Sequence, residues 1–191
     1  INLWLLRDGD GWTIVDTGFA NDAVRDIWRP VIAGLDGPVH RLIVTHFHPD
    51  HLGLATWLME ETGAQLWMTS GEFLTAHVVW NEVGGHGARF MVEQFRQHGL
   101  EAERLAKFEK RGSGYRMAVP ALPEHYHRLK AGDTVAVDGK KWRILIGHGH
   151  SPEHMALYCA ELGVLISGDM LLPKISTNIS VFAATPEADS L

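Results

Sequence analysis

The chain has 191 residues, 46% hydrophobic and 21% charged, the balance of one ordinary globular domain with room for a substantial core. Its net charge of -6 argues against a nucleic-acid partner, and no apolar run approaches the length of a membrane span. A single cysteine, Cys159, excludes an internal disulfide framework and suits a reducing, cytoplasmic setting; inside "MALYCAEL" it reads as a buried strand thiol.

Ile1 stands inside a strand-like run, "INLWLL", and no Met precedes it. The final "PEADSL" begins a helix-like pattern, so both ends suggest a piece of a longer protein. Two short strands, about 2–7 and 12–16, flank "RDGDG", whose Asp-Gly is a hairpin signal. Helical spacing of Val24, Ile27, Trp28 and Val31 follows. "RLIVT" is a continuous apolar run of strand length, as expected for a strand buried on both faces. "LGLATWLMEETG" reads as a helix closed by Gly63, and "AQLWMT" as the next strand. This βαβ unit predicts a partly parallel sheet.

Residues from about 71 to 112 are helical in pattern, with apolar marks at Phe90, Met91, Phe95, Leu105 and Phe108, and "RGSGYRMAVPALP" reads as a loop. From about 125 the chain turns strand-rich again, with hairpin turns at 138–139 and 162–163. The expectation is an α/β layered single domain over 1–191, with a helical insert at about 71–128.

"VTHFHPDHLGLA" crowds His46, His48, Asp50 and His51 into six positions. With 12 His in the chain, such a cluster needs corroboration. Alternate side chains at a strand end share a face, so His46 and His48 can approach one ion. Asp50 and His51 fall at the start of the next helix and point back over the strand end. "LIGHGHSPEH" ends a later strand with His148, His150 and His154, and "LISGDM" ends another with Asp169. Asp16 in "IVDTG" has the same strand-end position. Imidazole and carboxylate without thiolate suit zinc, iron or manganese.

Together "IVDTG", "THFHPDH", "GHSPEH" and "SGD" resemble, in order, the motif series of the metallo-β-lactamase-fold superfamily, glyoxalase II-like members included. The resemblance implies a four-layer αββα sandwich with a dinuclear metal site at one edge of the sheets. It implies two divalent metal ions: one held by His46, His48 and His150, a second by Asp50, His51 and Asp169, with Asp169 bridging. Asp16 matches the family's supporting aspartate. His148 stands where glyoxalase II-type hydrolases usually have proline, so it and His154 are assigned to contacts around the ligands. The family's di-metal enzymes generally supply one further, late histidine, and none follows His154; the resemblance therefore implies a ligand beyond Leu191.

For His154 a core role competes with a site role. His40, His98, His125 and His127 read as surface. His77, Trp80, His86 and Arg89 lie in the insert, where they would line a substrate pocket; the plainer reading is a helix packing Trp80 and Phe90 inward.

The resemblance implies a metal-dependent hydrolase using a metal-activated hydroxide, with Asp50 handling the proton, acting on a small-molecule ester or thioester. No G-x-S-x-G supplies a nucleophilic serine. The runner-up readings are a phosphodiesterase or ribonuclease of the same superfamily and an iron-dependent sulfur dioxygenase. A true β-lactamase fits the insert less well. Superfamily oxygen reductases have glutamate where this chain has His48. A non-catalytic metal-binding module would need fewer ligands than the six counted here. Oligomeric state is left open.

Overall fold

The computed structural model describes residues 1–112 and 114–188. Ser113 of the expected 111–123 loop and residues 189–191 of the helix-like close lie outside the described residues.

The expected hairpin forms, although its two turn residues are Gly9–Asp10, with Gly9 at φ 64°, rather than an Asp-Gly pair: β1 (Trp4–Asp8) pairs antiparallel with β2 (Gly11–Val15). The helix α1 (Asp22–Ala33) starts where the Asn21 side chain accepts from the Val24 amide at 3.0 Å, and it buries Trp28. After it, β3 (Val39–Ile43) joins β2 in parallel. A single helical turn, α2 (Pro49–Leu52), leads to α3 (Ala55–Thr62), which ends on Gly63 in the left-handed conformation, φ 73°. β4 (Gln65–Thr69) then lies parallel to β3, completing the expected βαβ unit.

The stretch expected to be a helical insert contains α4 (Ser70–Trp80), a 3-10 turn at Gly84–His86, α5 (Ala88–Gln97) and α6 (Ala102–Arg111). The stretch read as a loop also holds a short helix, α7 (Tyr115–Ala118), with Tyr115 buried. β5 (His127–Leu129) returns to the first sheet beside β4, giving the order β1-β2-β3-β4-β5. The last strands, β6 (Thr134–Val137), β7 (Lys140–Gly147), β8 (His154–Cys159) and β9 (Val164–Ile166), form a second, antiparallel sheet in chain order.

Alternation along the strands builds two cores. Ile14, Leu42, Leu66 and Met68 face the helices, packing with Trp28, Leu58 and Ala76. Val15, Ile43 and Leu129 face the second sheet, packing with Val135, Trp142, Ile144, Leu157 and Cys159. Layers of helix, sheet and sheet result, with Leu145, Tyr158 and Leu165 exposed on the second sheet's outer face. The sheets also meet at one edge, where the Met155 amide donates to the Thr45 carbonyl at 2.9 Å.

Candidate metal centre

At that edge Asp16 directly follows β2, β3 runs on to His46 and His48, and β9 leads to Asp169. The β7–β8 turn supplies His150, and α2 carries Asp50 and His51. Among the described residues two groups bring three metal-capable side chains to one point: His46, His48 and His150, and His46, His51 and Asp169.

In the first group the separations are 3.0 Å for His46 Nε2 to His48 Nδ1, 2.9 Å for His48 Nδ1 to His150 Nε2, and 3.2 Å for His150 Nε2 to His46 Nε2. Two nitrogens about 2.05 Å from a tetrahedral ion stand about 3.3 Å apart, so the triangle is close to ligand spacing. The opposite ring nitrogens leave the right lone pairs free. His150 Nδ1–H donates to the Asn178 carbonyl at 2.8 Å. Thr45 gives its only hydroxyl proton to Asp16, so it accepts from His46 Nδ1–H at 3.1 Å. Burial, then repulsion from neighbouring histidines, pushes His46 well below the usual imidazole range and His48 down to about 4. Neutral rings with facing lone pairs are what a cation needs.

Asp16 organises the second group from an uncommon left-handed backbone, φ 62°. Its carboxylate accepts from the Thr45 amide at 2.8 Å and from His51 Nδ1–H at 2.9 Å. That turns His51 Nε2 towards Asp169 Oδ1, 3.2 Å away, and Asp50 Oδ2, 3.7 Å away. His51 Nε2 is buried and has no hydrogen-bond partner among the described residues, a nitrogen aimed among carboxylates. Burial would lower the His51 pKa, but Asp16, Asp169 and Asp50 overcome it and push it up to about 10. The attraction that favours a proton there favours a metal cation equally. Asp169 Oδ2 lies 3.7 Å from His150 Nε2, so this carboxylate stands between the groups. The adjoining His51 imidazole, 3.2 Å away, holds it below the ordinary carboxylate range. The donor chemistry and the orphaned His51 nitrogen thus fit divalent ions.

His154 is fully buried beside the site: its Nε2 accepts from the Asp169 amide at 3.1 Å, and its Nδ1 has no hydrogen-bond partner among the described residues. Burial and the neighbouring histidines push it down to about 3. The approach needs Gly168, φ 50°, where an added Cβ would stand 2.5 Å from His154 Cε1. His148 is turned away, exposed, with Nδ1–H donating to the Pro152 carbonyl at 2.7 Å.

Of His77, Trp80, His86 and Arg89, only His86 borders the large cavity of about 550 Å³ that opens beside His48 and Phe47. His77 donates to the Pro123 carbonyl at 3.1 Å. Trp80 packs inward as a strut, its indole donating to the Val119 carbonyl at 2.9 Å under the Arg116 guanidinium. Arg89 covers the ring of Phe90, which is 37% exposed and so not packed inward. His40, His98, His125 and His127 are exposed, as read.

Two residues of this neighbourhood escape sequence reasoning. Glu72, fully buried on α4, accepts from the Phe47 amide at 2.9 Å, the Ser151 hydroxyl at 2.6 Å and the Glu153 amide at 2.7 Å. It thereby ties the His46–His48 segment to the His150 turn. Tyr115 donates to the Phe47 carbonyl at 2.6 Å, so the two peptides flanking Phe47 are both held. The one sequence cue for Glu72, Thr69 three residues before it, imitates an ordinary capping box; no such cap bond forms.

A family model described as the metallo-beta-lactamase superfamily matches residues 1–190. The crystal structure of a beta-lactamase domain protein from Burkholderia ambifaria is 46% identical with a TM-score of 0.82, covering 98% of this chain and 56% of that one. A metallo-beta-lactamase family protein from Thermus thermophilus is 33% identical with a TM-score of 0.78, covering 96% of this chain and 59% of that one. Hydroxyacylglutathione hydrolase GloC of Haemophilus influenzae is 28% identical over 158 residues, 83% of this chain and 60% of that protein. The chain thus spans little more than half the length of these relatives.

Proposed function

The chain belongs to the metallo-β-lactamase superfamily, and on that premise we propose that it forms the catalytic part of a di-metal hydrolase acting on an ester or thioester. The observation that carries this reading is the pair of adjacent ligand groups with Asp169 between them, more than a closed structural site requires. Similarity to hydroxyacylglutathione hydrolase supports a thioester, and the acidic net charge weighs against a nucleic-acid substrate.

His46, His48 and His150 would hold one ion, and Asp50, His51 and Asp169 the other; zinc suits these donors, as do iron and manganese. When bound there, divalent ions would supply a water of lowered pKa, towards about 7, and polarisation of a carbonyl oxygen. The protein supplies orientation and proton handling. Asp16 fixes the His51 ring, and the Asn178 carbonyl fixes His150. Asp50 stands at the rim of the second group, its Oδ2 3.7 Å from His51 Nε2, so one carboxylate oxygen would hold the ion while the other takes up the proton of the attacking water and passes it to the leaving group.

The test is elemental analysis of the full-length protein with hydrolysis of S-lactoylglutathione, a simple acetyl thioester and bis(p-nitrophenyl) phosphate. Two ions per chain and cleavage of a thioester are expected, with Asp169→Ala reduced to one ion or fewer. Cleavage of the phosphodiester alone, or oxygen consumption by the iron-loaded protein, would overturn the reading.

A further inference from the structure

The cavity of about 550 Å³ beside the metal-capable triad has no use in the chemistry above. Its size lies within the range that holds drug-sized ligands, well beyond what an acetyl group fills. It is continuous with the site: His48 is one wall, and so is Asn178, whose carbonyl holds His150. The remaining wall is mostly apolar, formed chiefly by Phe47, Met91, Phe95, Tyr115 and Phe182, with Gln94 and Ser180 as its polar members. Among the described residues, no Lys, Arg, Asp or Glu lines it. The second imidazole of the lining, His86, is pushed below the usual imidazole range by burial, which favours its neutral form.

We infer that this cavity receives the acyl group of the substrate, and that the acyl group is an uncharged hydrocarbon chain or ring of medium size. The inference rests on the ester or thioester reading. The carbonyl carbon must sit at the metal-capable edge, so one end of the substrate extends along each side of it. Thiols such as glutathione carry carboxylates, which an uncharged, desolvated wall penalises strongly. The thiol end therefore lies towards solvent, and the acyl end enters the cavity. The α5 helix and the 178–183 segment facing it then set acyl preference, while the histidines and aspartates set the chemistry.

Each methylene buried in such a cavity is expected to improve binding about two- to fourfold. The test uses the full-length, metal-loaded protein and two series. One is hydrolysis of N-acetylcysteamine thioesters from acetyl to octanoyl, with succinyl and lactoyl thioesters beside them. The other is calorimetric binding of the linear carboxylates acetate, butyrate, hexanoate and octanoate. Both series should climb two- to fourfold per methylene, and Met91→Asp should cut the octanoyl-to-acetyl ratio at least tenfold. Met91→Trp, which fills the cavity without adding charge, should shift the optimum to shorter chains.

Hydrolysis that is flat with chain length, or fastest for succinyl or lactoyl, would overturn the acyl assignment and leave the hydrolase reading intact. A climbing carboxylate series without cleavage of any thioester would overturn the hydrolase reading and leave the apolar-ligand site standing. Carboxylates that bind without a slope would mean the full-length chain fills the cavity itself, which also overturns the assignment.

Discussion

The metal-capable side chains were legible one residue at a time because they sit at strand ends, where neither core packing nor turn geometry explains a dense H-x-H-x-D-H string. Glu72 was not legible, since nothing local marks a helical glutamate that receives three hydrogen bonds from distant loops. Its role gives a sharp prediction. Its Oε1 accepts from Ser151 and Glu153, and its Oε2 from Phe47. Glu72→Gln can keep one oxygen, but its amide group must then confront an N–H or O–H donor, leaving a buried clash. The histidine segment and the His150 turn would lose their common anchor. Metal affinity should fall about tenfold or more, the scale seen when support around ligands is removed. Calorimetric metal titration of E72Q, with circular dichroism to verify the fold, checks this; wild-type affinity would show that the loops hold position without the carboxylate.

At the level of elements, period and punctuation carried most of the information. Gly63 marked the end of α3, and the continuous apolar run marked β3 as a strand with both faces covered. Strand partnership was not encoded in the same way. β5 reads in chain order with the later strands, yet it adds to the first sheet beside β4, because three residues of alternation cannot specify a partner after a long insert. α7 was hidden for a related reason: four residues between glycine and proline do not establish a helical period. Trp80 illustrates the consequence for function. An aromatic near the metal edge invites a substrate role, but its indole is committed to the Val119 carbonyl. Trp80→Phe leaves that buried acceptor unpaired, which costs about 1–2 kcal/mol and about 2–8 °C in Tm for a chain of this size. Metal stoichiometry should stay at the wild-type value. A change in KM without a change in Tm would return Trp80 to the substrate pocket.

Across the whole molecule, the two sheets are joined at opposite ends by different chemistry. The metal-capable cluster occupies one end; the other holds a polar seam built on Asp8, at the close of β1. Asp8 Oδ1 accepts from the Asp138 amide at 2.9 Å, and Oδ2 from the Thr13 hydroxyl at 2.7 Å and the Arg41 guanidinium at 3.0 Å. Arg41 in turn donates to the Ala136 carbonyl on β6 at 3.2 Å, so the network spans both sheets. Burial pulls the Asp8 pKa up, but the Asp138 amide, the Thr13 hydroxyl and Arg41 outweigh it and hold the carboxyl below its ordinary 3.8. A folded-state pKa below the unfolded value means the seam's contribution is complete above about pH 4 and is lost as pH falls through the lowered value. Asp8→Asn removes the charge and turns an amide towards donors, so it should cost about 1–3 kcal/mol at pH 7. Below the carboxylate range the wild-type group is itself neutral, and the two proteins should converge. Urea unfolding of wild type and D8N between pH 7 and pH 3 measures the gap. A difference that stays constant with pH would mean that Asp8 acts through shape alone, and that the charge on the seam contributes nothing to holding the sheets together.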